Sequence, residues 1–295
     1  RIMTKRIKVL KTYKIFINGD FPRTESGRYY KIKNKNMDIA NVCLSSRKDI
    51  KNAVLAARNA AYGWSNRTAF NRSQILYRIA EMLESRSDQF TEELILQGKS
   101  TKSAKEEVDK SVDRVIYFAG WADKINQVFG AVNPVSTSHF NFTMMEPMGV
   151  VGIIAPENYP LLGLISSIVP IIVSGNSVVV IASEKAPLSA ISLAEVIANS
   201  DVPNGVINVL TGKKEELCNP LYSHMDVNAI GDFSNSKINS IFHLSAIDNL
   251  KRIINSGDIL VESEEMESPY IIKSFMEAKT TWHPLELGFT SSNSY

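Results

Sequence analysis

Residues 149–160, GVVGIIAPENYP, run apolar without a break, stop at Pro156 and restart at Pro160. The run reads as a strand buried on both faces, ended by a proline and followed by a helix opening at the second proline, with Asn158 held at the corner. The same rhythm continues downstream. PLLGLISSIVPIIVS, SVVVIA, PLSAISLAEVIANS, GVINVLTG, KKEELCNPLYSH and VNAIGDF alternate helix-length segments with short apolar strands. That alternation marks βαβ units and predicts an α/β fold with a doubly wound parallel sheet. Ligands of such sheets sit beyond the carboxyl ends of the strands, so Asn158 and the turns ASEKAP and LTG fall on the rim where a site would lie.

Upstream, YKIFINGDF alternates and turns at Asn18-Gly19 as a hairpin does. Three helical blocks follow, with apolar stripes at Ile50, Val54, Ala57 and Ala61, then Ile75, Ile79, Met82 and Leu83, then Val108, Val112, Val115 and Ala119. Spacings of three and four predict amphipathic helices that cover the sheet. The second block, RSQILYRIAEMLESRSDQFTEELILQ, reads as one helix, and EEVDKSVDR in the third as a solvated face with charge pairing. GAVNPVSTSHFNFTMMEP has the composition of a projecting hairpin, and IIKSFMEAKTTWHP that of a final strand. The expected organisation is a basic tail or linker (1–14), a cofactor-type α/β domain (15–130 and 148–260), oligomerisation strands (131–147 and 270–284) and a tail (285–295).

With 295 residues, 44% hydrophobic and 22% charged, the chain is large enough for a substantial core, and its net charge of +2 gives no field to hold nucleic acid. No nucleic-acid partner is expected. The longest apolar run is broken by Pro170 and SGN, so no membrane span is expected either. Cys43 and Cys218 form no disulfide framework or CxxC pair, which suits a reducing, cytoplasmic compartment. The basic start RIMTKRIKVLKTYK reads as a solvated tail, not a targeting leader, for want of an apolar core and a cleavage site. His139, His224, His243 and His283 lack ligand spacing, so no metal site is expected.

From IFINGDF to about AIGDFSNS the chain resembles the aldehyde dehydrogenase superfamily. Pro156, Glu157, Asn158, Tyr159 and Pro160 resemble the family's Pro-Trp-Asn-Phe-Pro; SGNSVVVIASEKAP resembles its Gly-Asn and Lys-Pro-Ser-Glu strand; VPNGVINVLTG resembles its next strand and Gly turn. The resemblance implies a Rossmann-like cofactor domain. It also implies that Asn158 is the side-chain donor to the oxyanion formed when a cysteine thiolate attacks an aldehyde, with NAD(P) as hydride acceptor. An asparagine ahead of a helix starting at Pro160 is equally a natural N-cap.

The other groups of that chemistry do not fall into place. Cys43 lies in the N-terminal strand region and Cys218 within a helix, where both read as buried small hydrophobes. The Glu-Leu-Gly-Gly-Lys context of the family's glutamate is absent, and LELGF (285–289) is read as coincidence. Ile181 stands where the family has the ribose-holding lysine and Asn235 replaces a phosphate-loop glycine, while Asn158, Ser183, Glu184 and Ser236 survive as vestigial cofactor contacts. Glu157 in place of tryptophan adds negative charge. No cofactor is expected to bind tightly, NAD(P) if any, with Ile181→Lys the single change expected to restore some affinity.

SFMEAKTTWHP resembles the family's last strand, which extends a neighbouring subunit's sheet, and the whole is similar to the non-catalytic carboxyl-terminal half of family sixteen aldehyde dehydrogenases. The expected function is therefore a pseudoenzyme, a structural or regulatory subunit forming a homodimer or a complex with an active aldehyde dehydrogenase. Its interface is expected at Phe140, Phe142, Met144, Phe275, Met276 and Trp282. The alternatives are an NAD(P)-dependent aldehyde dehydrogenase whose nucleophile comes from another domain or chain, and a nucleotide-sensing module.

Overall fold

A computed structural model describes residues 9–234, 237–255 and 259–285. From the N-terminus, β1 (Thr12–Tyr13), β2 (Tyr29–Asn34) and β3 (Met37–Cys43) form a small sheet in the order β1-β3-β2. Five helices follow: α1 (Arg47–Ser65), α2 (Ala69–Ser85), α3 (Ser87–Leu96), α4 (Thr101–Ala119) and the short α5 (Ile125–Phe129). The hairpin strands β4 (Ala131–Asn133) and β5 (His139–Pro147) lead into the alternating region. That region comprises β6 (Val150–Ile154), α6 (Leu162–Val173), β7 (Ser177–Ile181), α7 (Leu188–Ala198), β8 (Ile207–Leu210), α8 (Lys214–Tyr222) and β9 (Ala229–Asp232). A 3-10 run (Lys237–Asn249), β10 (Arg252–Asn255), α9 (Pro269–Ser274) and β11 (Met276–Pro284) complete the described chain.

The apolar runs build a five-stranded sheet, all parallel, in the order β10-β9-β6-β7-β8. Every residue of β6, β7, β8 and β9 is buried, because both faces are covered. Side chains alternate between two cores, as period two demands. Val151, Ile153, Val178 and Val180 pack with α2, α3, α4, α6 and α7, while Val150, Ile154, Val179 and Ile181 pack with α1 and α8. The topology reverses between β6 and β9, the switch point at which open sheets leave a crevice. The doubly wound α/β fold expected from the sequence is the one observed.

Several details differ from expectation. Only α1 of the three amphipathic blocks lies on the sheet; α2, α3 and α4 form an outer layer over α6 and α7. The second block is two helices that break at Arg86. The face EEVDKSVDR is not wholly solvated, since Glu107, Ser111 and Arg114 are buried in it. Arg114 donates to Ser166 Oγ at 2.6 Å and to the Ser263 carbonyl at 3.0 Å, tying α4 to α6 and to the chain beyond β10. The turn at Asn18 (φ 55°) and Gly19 (φ 83°) is present, but Phe16 pairs with Val209, so the segment covers the outer edge of β8. Thr12 and Tyr13, placed in the basic tail from the sequence, pair with Asn41 and Val42 of β3, and Tyr13 is buried. Residues 270–274, expected as strand, are helix α9.

Candidate functional site

The carboxyl ends of β6, β7 and β8 bring together Glu157, Asn158, Ser183 and Glu184 of the residues singled out from the sequence, and add Lys214 to them. After β6 the chain passes Ala155 and Pro156 to Glu157, whose carboxylate gathers the rim around itself. It accepts Ser183 Oγ at 2.8 Å, the N–H of Glu184 at 3.2 Å and the N–H of Lys185 at 3.1 Å, all from the turn after β7. It also forms an ion pair with Lys214, the first residue of α8, whose Nζ lies 2.7 Å from the Ala155 carbonyl oxygen. Burial works against the Glu157 charge, but Lys214 and the Ser183 and Lys185 hydrogen bonds outweigh it and hold the carboxyl below its ordinary value. Lys214 carried no signal in the sequence, because its partner stands 57 residues earlier and only the sheet order joins them.

Ser183 is buried and its Oγ also accepts the Ala186 N–H at 3.1 Å, so it serves the turn leading into α7. Glu184 accepts the Lys214 N–H at 3.4 Å and its carbonyl accepts the Tyr30 hydroxyl at 3.3 Å. Ser183 and Glu184, expected from the resemblance as cofactor contacts, are thus at the rim and already engaged with protein groups. Ile181 is fully buried at the end of β7, in the core under α1 and α8. Asn235 and Ser236 lie outside the described residues.

Asn158 is exposed, and its side chain makes no hydrogen bond among the described residues. It is not the N-cap of α6. That helix begins at Leu162, and Glu107 from α4 accepts the N–H groups of Leu161 at 2.9 Å and Leu162 at 3.2 Å. The same buried carboxylate pairs with Lys99, whose Nζ also sits 4.2 Å from the centre of the Tyr159 ring. Tyr159 has φ 55°, the left-handed region uncommon for a bulky side chain, and this turns the backbone so that Asn158 faces outward. Asn158, Glu157, Lys99, Lys185 and Gln97 line one cleft of about 380 Å³.

Neither thiol reaches it. Cys43 in β3 and Cys218 in α8 are 3% and 0% exposed, as small core hydrophobes. Burial, with the nearby Asp232 charge, pushes the Cys218 thiol up to about 12, far from a thiolate at neutral pH. Asp232 itself is held by the Tyr222 hydroxyl at 3.0 Å and by Ser234. Among the described residues no group of three or more His, Cys, Asp or Glu side chains could hold a metal. Nor is any described helix long and apolar enough to cross a membrane.

The expected interface residues separate into three groups. Phe275 and Met276 are buried in the main core, Phe275 against Phe233, and neither is available to a partner. Their place in the core follows from α9, which turns the chain inward before β11. β11 pairs antiparallel with β5, making a three-stranded sheet in the order β11-β5-β4. Alternation puts Val132, Phe140, Phe142 and Met144 on one face of this sheet, where Phe140 and Met144 are exposed and Phe142 is half-buried. Trp282, opposite Asn141, points to the other face and stacks edge-on with His139.

The sequence model of the Aldehyde dehydrogenase family matches residues 25–254, from just after the Asn18-Gly19 turn through most of β10. Cytosolic 10-formyltetrahydrofolate dehydrogenase of Xenopus tropicalis is 34% identical over 252 residues, covering 82% of this chain and 28% of that protein. An aldehyde dehydrogenase of Davidiella tassiana is 34% identical over 265 residues, covering 86% of this chain and 53% of that one. The NAD+ complex structure of aldehyde dehydrogenase from Bacillus cereus superposes with a TM-score of 0.79 at 28% identity, over 83% of this chain and 50% of that one. The chain spans about half or less of the length of these relatives.

Proposed function

The chain belongs to the aldehyde dehydrogenase family, and from that premise we propose that these 295 residues act as a non-catalytic subunit, working by association with a second copy or with an active aldehyde dehydrogenase. One observation carries this reading. Both of its thiols are sealed in the core, and Asn158, the oxyanion donor on this reading, lines a cleft with no cysteine beside it among the described residues. An oxyanion donor accelerates nothing unless charge develops next to it. Two unpaired buried cysteines, and the cytosolic location in the name of the Xenopus relative, support a cytoplasmic setting. The test is NAD and NADP reduction with short and aromatic aldehydes at high protein concentration. No turnover is expected from the chain alone, and turnover abolished by Cys43→Ala or Cys218→Ala overturns the proposal.

A second reading is favoured by the exposure of Asn158, which is free of any capping duty: a cysteine from another domain or chain uses it as oxyanion donor. Co-expression with an active family member separates the two. If Asn158→Ala in this chain lowers the kcat of the complex without changing its size, the second reading replaces the first. Nucleotide sensing has less support, because Ser183 and Glu184 already bond to Glu157, Ala186 and Lys214.

A further inference from the structure

A dinucleotide is the cofactor that the family implies, so the rim can be asked whether it accepts one. It does not fit. The groups that would meet a ribose, Ser183 Oγ and the Glu184 carboxylate, are bonded to Glu157, Ala186 and Lys214. The place where a cation would stand is Ile181, with no exposed surface.

We propose that the Lys214–Glu157 pair is a built-in occupant of the cofactor crevice, a side-chain bolt that closes it to NAD and NADP. Lys214 starts α8, just after β8, yet its ammonium ends at the Ala155 carbonyl just after β6. Because β7 lies between those strands, the turn after β8 and the Lys214 side chain together cross two inter-strand spacings, roughly 10 Å, at the carboxyl edge of the sheet. It arrives beside the strand at which the topology reverses. Glu157 then fastens the far end to the turn after β7 through three more donors.

Charge makes the closure selective. Hydrogen bonds to ionised groups are about twice as strong as neutral ones, and a half-buried carboxylate stripped of its cation is left uncompensated. Any ligand that displaces Lys214 must therefore bring positive charge to Glu157. A dinucleotide brings two phosphates, so it removes the cation and adds repulsion at the same point. The inference stands apart from the non-catalytic reading, since it holds whichever chain supplies a nucleophile.

The experiment titrates the full chain with NADH and NADPH, followed by their fluorescence, beside a double variant, Glu157→Gln with Lys214→Gly, that removes both charges and the bridging side chain. The unmodified chain should show no saturation at millimolar cofactor, and the folded double variant should bind at least tenfold more tightly. Micromolar binding by the unmodified chain overturns the proposal, as does a double variant that unfolds cooperatively on heating yet binds no better. Should the variant fail to fold, hydrogen exchange at the Glu184 and Lys185 amides of the unmodified chain decides. Rates unchanged by millimolar NADH support the bolt, and rates that change overturn it.

Discussion

Glu107 on α4 accepts the N–H of Leu161 at 2.9 Å, so the first turn of α6 is capped from a neighbouring helix and Asn158 is left free. The carboxylate is fully buried, satisfies a second N–H at Leu162 and neutralises Lys99. Glu107→Ala removes all three interactions and should cost roughly 2–3 kcal/mol in urea unfolding, because buried donors left unpaired carry their full desolvation penalty. Asn158→Ala should stay within about 0.5 kcal/mol, as an exposed side chain without a partner. Equal losses in the two variants would refute the capping assignment.

The sheet was legible because burial on both faces writes itself as unbroken apolar runs, and β6 to β9 have no other reading. The rim was legible only in part. Asn158 and the turn after β7 follow strand ends, so their positions could be read, but what they bond to depends on sheet order. Lys214 and Glu107 were hidden for that reason: each is a charged residue at a helical position that suits solvent equally well, until a strand or helix distant in sequence is laid beside it. Phe275 and Met276 were misplaced because a short helix, α9, resets the alternation just before β11.

Two carboxylates, the half-buried Glu157 and the buried Glu93, should answer pH in opposite senses. Burial opposes the Glu157 charge, but Lys214 and the hydrogen bonds prevail and its folded pKa lies below the ordinary value. Its stabilising contribution is complete above the unfolded pKa and is lost as pH falls through the folded one. Glu93 is the reverse: burial raises its pKa despite bonds from Ser192 and Tyr13 and the nearby Lys11 charge. Its contribution is complete below the unfolded pKa and is lost as pH rises through the folded one. The deficit of Glu157→Gln against the unmodified chain should therefore shrink on acidification from about pH 7 to about pH 3, and that of Glu93→Gln should grow. Denaturant midpoints across this range check both slopes, and parallel curves for the two variants would contradict the assignment.

Ile181→Lys is, from the sequence, the single change expected to restore some cofactor affinity, and the burial of Ile181 sets a stability cost against it. Ile181 has no exposed surface and packs with Val150, Ile154 and Val179 under α1. A lysine there buries a charge without a partner, so the variant should lose more than about 3 kcal/mol of stability. Thermal unfolding tests this directly, and a variant as stable as the unmodified chain would show that the end of β7 opens to solvent.

On the proposed reading, the chain associates through one face of the β11-β5-β4 sheet. Phe140 and Met144 are 44% and 46% exposed, they flank the half-buried Phe142, and Val132 extends the patch on β4. These side chains border a shallow, largely apolar groove. Exposed apolar surface beside an outer strand is an association site unless something covers it. Deleting Ser274 to Tyr295 does not test this, because the cut removes Phe275 and Met276 from the core and should unfold the chain outright. Phe140→Asp and Met144→Asp are cleaner, since both side chains already meet solvent and should leave the unfolding midpoint within about 0.5 kcal/mol of its original value. Phe142→Asp should weaken assembly further at some cost in stability. Trp282→Ala, on the opposite face, should leave that groove's contact intact. Light scattering over a concentration series should show the mass of the unmodified chain, or of its complex with a co-expressed homologue, fall in the three Asp variants. If mass and partner binding are the same in all of them, the hairpin face is not where this chain associates.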